Sequence, residues 1–286
     1  MKKNIINVEL ILQYIEDHLS EKLDLETIAN AIHYSKFHMH RVFVDVLSMK
    51  LHEYVLRRRL SEAAKLLVFS NKKIIEIALI AGYESQQAFT TIFTSMYKKS
   101  PNEYRKAEDF YPLQLRIHLN NQPTRVSTEI DYRKDIRFAQ DCDIPLWMEL
   151  VHHVIDGFPY LKDEECLEAI KQYVYQKQAF VIYDEDVMIG AMAFDRERGS
   201  IDFLGIHPQY RKHNIASAFL KRLLHELMDE NAIYITTFRE GDKADTGYRE
   251  AYKKLGFAEG ELLVEFGYPT QKMIIERGCE KEDIDE

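Results

Sequence analysis

A chain of 286 residues, 46% hydrophobic and 30% charged, has room for two domains with cores of their own, and this composition excludes a disordered or fibrous protein. No run approaches eighteen apolar residues, and the opening MKKNIINVELILQYIEDHL carries acids inside its apolar stretch, so neither a membrane span nor a signal peptide is expected. The net charge of −9 is uneven: residues 1–110 hold 16 Lys and Arg against 14 acids and the rest 22 against 33, so the first part can still meet nucleic acid if its cations share a face. Three cysteines without CxxC spacing fit a reducing, cytoplasmic location.

From about Val8 to Arg105 the pattern is helical throughout. In LDLETIANAIHYS, Leu25, Ile28, Ala29 and Ile32 fall at helical spacing. Ser35 then stands where an N-cap would open KFHMHRVFVDVL. The plan recurs about 50 residues later in KKIIEIALIAGYESQQAFTTIFTSMY, with a turn at Gly82 and a second helix from near Ser85. Between the two units LHEYVLRRRLSEAAKLLVF reads as one long helix of ~28 Å, close to the ~34 Å advance between successive major-groove faces. Phe43, Phe89, Phe93 and Tyr97 read as core, and the run Arg57–Arg59 as a solvated face. His38 and His40, two apart, point from different faces, as do the adjacent His152 and His153, so no metal site is expected.

The stretch GYESQQAFTTIFTSMYKKSPNEYR resembles the signature of AraC/XylS-type regulators, most closely the multidrug and oxidative-stress activators with two helix-turn-helix units. YSKFHMHRVF resembles the first recognition helix of the same subgroup. The resemblance covers about 100 residues and implies that Phe37, His40 and Arg41 in the first unit, and Gln86 and Gln87 in the second, face base edges of double-stranded DNA. The chemistry is compatible, since Arg pairs bidentately with guanine and Gln with adenine. Lys36, Arg57 and Lys98 are candidates for phosphate contacts. Thr91 and Thr94 stand where the subgroup usually has Arg and Lys, which shifts the second unit toward backbone contacts.

AEDFYPLQLRIHLNNQPTRVSTEIDYRKD breaks the helical pattern, placing a linker at 109–131 between domains at 1–108 and 132–280. The second domain reads in the order β-α-α-β-β-β-α-β-α-β-β, an α/β fold with a mixed, mostly antiparallel sheet, with a hairpin turning at Glu185. FLGIHPQYRKHNIASAFL joins a strand to a helix, whose free main-chain amides and dipole make an anion site, with Arg211, Lys212 and His213 adding polar side chains.

This order and two motifs resemble the GNAT superfamily of N-acetyltransferases, over about 140 residues. Arg211, Asn214 and Ala216 occupy its three signature positions, with Asn214 where glycine is usual. Asparagine tolerates the left-handed region better than other non-glycine residues, so the loop is expected to keep its shape. The resemblance implies acetyl-CoA as cofactor, its diphosphate on residues Arg211, Lys212, His213, Asn214, Ile215 and Ala216, and its pantetheine arm on the main chain of Leu204 and Ile206. In AYKKLGF, Tyr252 matches the residue that protonates the departing thiolate, suited because a phenol of pKa ~10 is a weaker acid than the thiol. Asp202 is the candidate base, with an ordinary strand acid the competing reading. Phe158, Tyr160 and Tyr268 are candidates for lining an acceptor pocket.

Together these imply a transcription regulator whose second domain senses or acetylates a small amine. Two alternatives stay open, an active N-acetyltransferase of a drug or polyamine that controls its own expression, and a GNAT scaffold kept for contacts. Both monomer and dimer are compatible with the sequence.

Overall fold

The computed structural model describes residues 2–21, 23–120, 130–154, 163–227, 232–265 and 267–276. The chain forms two compact units. The first comprises Met1–Val126 with the short segments Val151–Leu161 and His207–Lys212; the second comprises Ser127–Leu150, Lys162–Ile206 and His213–Glu286.

Among the described residues the first unit is built on the helices α1 (Lys2–Asp17), α2 (Leu25–Ala31), α3 (Lys36–Leu47), α4 (Leu51–Phe69), α5 (Ile74–Ile80), α6 (Gln86–Tyr97) and α7 (Pro101–Ala107). The expected repeat extends to its details. Ser35 and Ser85 cap α3 and α6, each hydroxyl accepting the amide three residues on. The turns before them pass through left-handed backbone at His33 (φ 57°) and Gly82 (φ 79°). Each turn is closed by the next amide, Tyr34 to the Ala29 carbonyl and Tyr83 to the Ala78 carbonyl, both at 2.9 Å. α3 and α6 also end alike, on left-handed Ser48 and Lys98.

Phe43, Phe89, Phe93 and Tyr97 are all buried, as their spacing predicts. Phe43 joins Val8, Leu12, Met39, Leu51 and Tyr54 in one core. Phe89, Phe93, Tyr97, Tyr104 and Tyr111 form an aromatic chain through the other, with successive ring centroids 4.4–5.6 Å apart. Tyr111, Leu113 and Ile117, within the stretch read as linker, are buried here as well.

The run Arg57–Arg59 departs from its reading as a solvated face. Arg57 is fully enclosed and donates to the Leu113 carbonyl at 3.2 Å, so it is not available to a phosphate. Arg58 meets Glu16 in a bidentate pair at 2.7 and 2.8 Å and also reaches the Gln114 carbonyl. Arg59 bonds the carbonyls of Leu19 and Glu21. The cause is the position of α4, which has packed neighbours in α3, α5 and α7 and so has little free surface. Burial opposes the charge on Arg58, but the Glu16 bonds outweigh it and hold the guanidinium above its ordinary pKa.

Among the described residues the second unit carries a seven-stranded sheet. In chain order its elements are β1 (Arg137–Phe138), α8 (Ile144–Val154, of which Val151 onward falls in the first unit), α9 (Asp163–Tyr175), β2 (Ala179–Asp184), β3 (Val187–Asp195), β4 (Ser200–Ile206), α10 (Ile215–Glu226), β5 (Ala232–Phe238), α11 (Tyr248–Lys254), β6 (Ala258–Glu265) and β7 (Tyr268–Glu276). This is the expected order. The strands lie β1-β2-β3-β4-β5-β7-β6, and β4–β5 is the parallel pair among otherwise antiparallel neighbours. Gly190 of β3 lets α10 close onto the sheet, since a Cβ there would come within 2.8 Å of Phe219 and 3.1 Å of Ile215. Leu204 and Ile206 pair with Met192 and Gly190, so they share the face that α10 covers. Phe203 faces the other way and packs on Trp147 of α8, with ring centroids 5.9 Å apart.

Candidate functional site

Two surfaces carry the residues expected to act. On the first unit they come from the starts of α3 and α6. Lys36, Phe37 and Arg41 are exposed on α3, Phe37 to 86%, although a large aromatic ring is normally drawn inward. His40 is half-buried on the same helix, with an Nδ1 that has no hydrogen-bond partner among the described residues. On α6, Gln86, Gln87 and Thr91 are exposed, and the Thr91 hydroxyl donates back to the Gln87 carbonyl. Opposite this face Met39, Val42 and Phe43 anchor α3, and Phe89, Phe93 and Met96 anchor α6. The core therefore orients both rows of polar side chains outward. Lys98 is exposed, with its ammonium on the Ser95 carbonyl.

The other surface begins where β4 and β5 part. β4 pairs with β3 along its length, but with β5 only at Ser200–Tyr234 and Ile201–Ile235. β5 then continues with β7 as far as Phe238. Among the described residues β4 thus has, from Asp202 onward, an edge without a strand partner, and main-chain groups in such an edge are ready to bond an extended ligand. Leu204 and Ile206 lie on this part of the strand.

After β4 the chain makes a short 3₁₀ turn at Pro208–Tyr210 and reaches Asn214, at φ 54° and ψ 19°, the N-cap of α10. The asparagine adopts the left-handed conformation usual for glycine. Its carbonyl accepts the Ala218 amide at 3.0 Å, so the helix begins immediately after it. The amides of Ile215 and Ala216 stand in the first turn, where helices have no internal acceptors. Lys212 is exposed and Arg211 half-buried. Burial lowers the pKa of His213, partly offset by the buried Asp184 carboxylate. The donor set of main-chain amides and cations matches a diphosphate, and the open β4 edge matches an amide-containing arm, so the residues fit coenzyme A. A coenzyme A thioester brings an activated acyl group.

Asp202 and Tyr252 are placed quite differently. Asp202 accepts from three donors, the Tyr173 hydroxyl at 2.6 Å, Arg198 Nη2 at 2.8 Å and the Ser200 hydroxyl at 2.7 Å. Nothing in the local sequence separates Tyr173, on the last turn of α9, from an ordinary helix-surface tyrosine. Burial and then the bond to Asp202 raise the Tyr173 phenol well above its ordinary pKa. Tyr252 is a buried residue of α11, with its ring 6.0 Å from Phe257 and 6.3 Å from Tyr248. Tyr268 is buried on β7 and donates to Asp242 at 3.0 Å. Phe158 and Tyr160 lie outside the described residues. Trp147, the one tryptophan, is buried with an indole N–H that lacks a partner among the described residues.

A helix-turn-helix domain model matches residues 28–107, and the acetyltransferase (GNAT) family model matches residues 147–257. The chain is 42% identical over 98 residues to an uncharacterized HTH-type transcriptional regulator, YbfP, of Bacillus subtilis, covering 34% of this chain and 33% of that one. It is thus aligned to about a third of YbfP's length. The probable transcription factor PqrA of Proteus vulgaris is 41% identical over 108 residues, 37% of this chain and 87% of that one. A solved GNAT-family acetyltransferase from Bacillus cereus is 14% identical, covers 49% of this chain and 95% of its own, and superposes with a TM-score of 0.41. Among the described residues no helix is long and apolar enough to cross a membrane. The paired helix-turn-helix units and the sheet with its parted strands identify the chain as a member of the AraC-type transcription regulators that carries a GNAT-family acetyltransferase domain.

Proposed function

We propose that the protein is a DNA-binding transcription regulator whose GNAT domain binds acetyl-CoA and responds to it or to a small amine. The observation that carries the cofactor half is Asn214. Its left-handed backbone preserves the glycine geometry of the loop, directly before the free amides of Ile215 and Ala216. Arg211, Lys212 and His213 supply charge and hydrogen bonds, and Leu204 and Ile206 lie on the open edge of β4. Calorimetric titration of the full chain with acetyl-CoA tests this. A saturable signal in the wild type, lost in Ala216→Asp and in Arg211→Glu, is expected; no binding at millimolar acetyl-CoA rejects it.

The DNA half is supported by the exposed rows Lys36, Phe37, His40 and Arg41 on α3 and Gln86, Gln87 and Thr91 on α6. Arg41 suits a guanine and the two glutamines suit adenines, while Lys36 suits a phosphate. Binding to a duplex selected by the protein from a random pool tests this reading. Arg41→Ala should weaken the selected duplex about tenfold or more and relax one base preference, whereas Lys36→Ala should weaken all duplexes alike and lower the salt slope by about one.

Sensing is favoured over turnover by Asp202, whose oxygens already accept three hydrogen bonds and are poorly placed to take a proton from an ammonium. The enzyme reading rests on Tyr252 as general acid. Thiol release from acetyl-CoA across a panel of amines, abolished in Tyr252→Phe, would establish it in place of sensing.

A further inference from the structure

We propose that Gln209 is a positioning residue for the diphosphate loop, and that its bonds to Asn120 link occupancy of that loop to the DNA affinity of the protein. This rests on the reading of residues 211–216 as the coenzyme A site.

Gln209 sits two residues before Arg211, inside the first unit, and its side chain is buried. The side chain makes two bonds to one main-chain residue: Oε1 accepts the Asn120 amide and Nε2 donates to the Asn120 carbonyl, both at 2.9 Å. A primary amide of this length is needed for the pair. Glutamate lacks the donor and asparagine is one methylene too short. The flanking residues add to the same clasp. Asn120 Nδ2 donates to the hydroxyl of the fully buried Tyr210 at 2.9 Å. His207, also buried, accepts the Gln209 amide on Nδ1 at 3.4 Å and hydrogen-bonds the main chain at His118.

The clasp is tied to the helices that carry the DNA candidates. Residues 111–120 run from the end of the helical repeat, and Ile117 lies in the core shared by α1, α3 and α4. The Pro208–Tyr210 turn packs against α3, and Lys212 Nζ lies 3.3 Å from Asp45 Oδ1 on that helix. An exposed pair of this kind contributes little energy, but it engages a cation that a diphosphate would attract. Because the chain passes without a break from Gln209 into the loop, a ligand that orders Arg211–Ala216 acts on a segment fixed to Asn120 and α3. By linkage the effect is reciprocal.

The experiment uses the full chain as wild type, Gln209→Ala and Gln209→Glu. It measures amide hydrogen exchange without ligand, acetyl-CoA affinity, and affinity for a duplex selected by the wild type, with and without acetyl-CoA. In the wild type acetyl-CoA should change duplex affinity by about fivefold or more. In Gln209→Ala the Ala218 amide, which is bonded to the Asn214 carbonyl, should exchange faster and acetyl-CoA should bind about tenfold more weakly. Its duplex affinity without acetyl-CoA should stay within about twofold of wild type, while the acetyl-CoA response falls toward one. Gln209→Glu, which keeps the acceptor and loses the donor, should be intermediate. A purely structural role would lower stability and duplex affinity together and leave the response ratio intact. Unchanged loop exchange with an unchanged response in Gln209→Ala overturns the inference. If the wild type does not bind acetyl-CoA, the coenzyme reading fails and the linkage with it, and hydrogen exchange still decides whether Gln209 orders the loop.

Discussion

Gly82 lies under the guanidinium of Arg59, so that a Cβ at Gly82 would come within 3.0 Å of Arg59 Cζ. The guanidinium has little freedom to give way, because it bonds the carbonyls of Leu19 and Glu21. Gly82 also holds φ 79° in the turn of the second helix-turn-helix unit. Gly82→Ala therefore combines left-handed strain with a steric conflict and should cost about 1–3 kcal/mol. Chemical denaturation of the two proteins would measure it; equal midpoints would show that the turn relaxes freely.

The Glu16–Arg58 pair is buried on both sides, with side-chain exposures of 11% and 7%, and Glu16 also accepts from the Tyr54 hydroxyl at 2.8 Å. Glu16→Ala removes the bidentate carboxylate and leaves the enclosed guanidinium only the half-exposed Glu62, at 3.0 Å, and should destabilise the first unit by about 2 kcal/mol. A double change, Glu16→Leu with Arg58→Met, should recover much of that loss, because the cost comes from a buried charge left with too few partners. Urea midpoints of the single and double variants decide the matter.

At Asn214 the backbone is the constraint. Asn214→Gly should leave acetyl-CoA affinity equal or improved, while Asn214→Val should weaken it about tenfold, since a β-branched residue resists φ 54°. Calorimetry on the two variants gives the comparison. Equal affinities would mean that the left-handed geometry is not required.

Two histidines of the first unit make its stability sensitive to acid. Burial, reinforced by neighbouring histidines, lowers His153 to about 4 and His207 to about 3. The rings lie 5.0 Å apart, and His118 is 5.8 Å from His153. In the unfolded chain both titrate near 6.5, so between that pH and the folded values the unfolded state binds more protons. Their contribution to stability is complete above about pH 6.5 and declines as pH falls toward 4. Urea midpoints from pH 7.5 to 4.5 should drop, and His207→Gln should flatten the profile. A profile identical in wild type and variant would remove His207 from the explanation.

Much of this architecture is legible in the sequence, because the relevant forces act within a few residues. Helical spacing of apolar side chains, serine caps at 35 and 85 and the glycine at 82 define the two helix-turn-helix units. The order of strands and helices in the second half comes from patterns of similar range, and so does the conformation of Asn214, a property of its own backbone and side chain. Burial of Arg57 and Arg58 is not a local property, since three consecutive arginines read as a solvated face until α4 is surrounded by other helices. The capture of Asp202 by Tyr173 joins residues 29 apart, and the Gln209–Asn120 clasp joins residues 89 apart. Such pairs depend on the path of the whole chain, which brings distant polar groups out of water together and obliges them to find partners there.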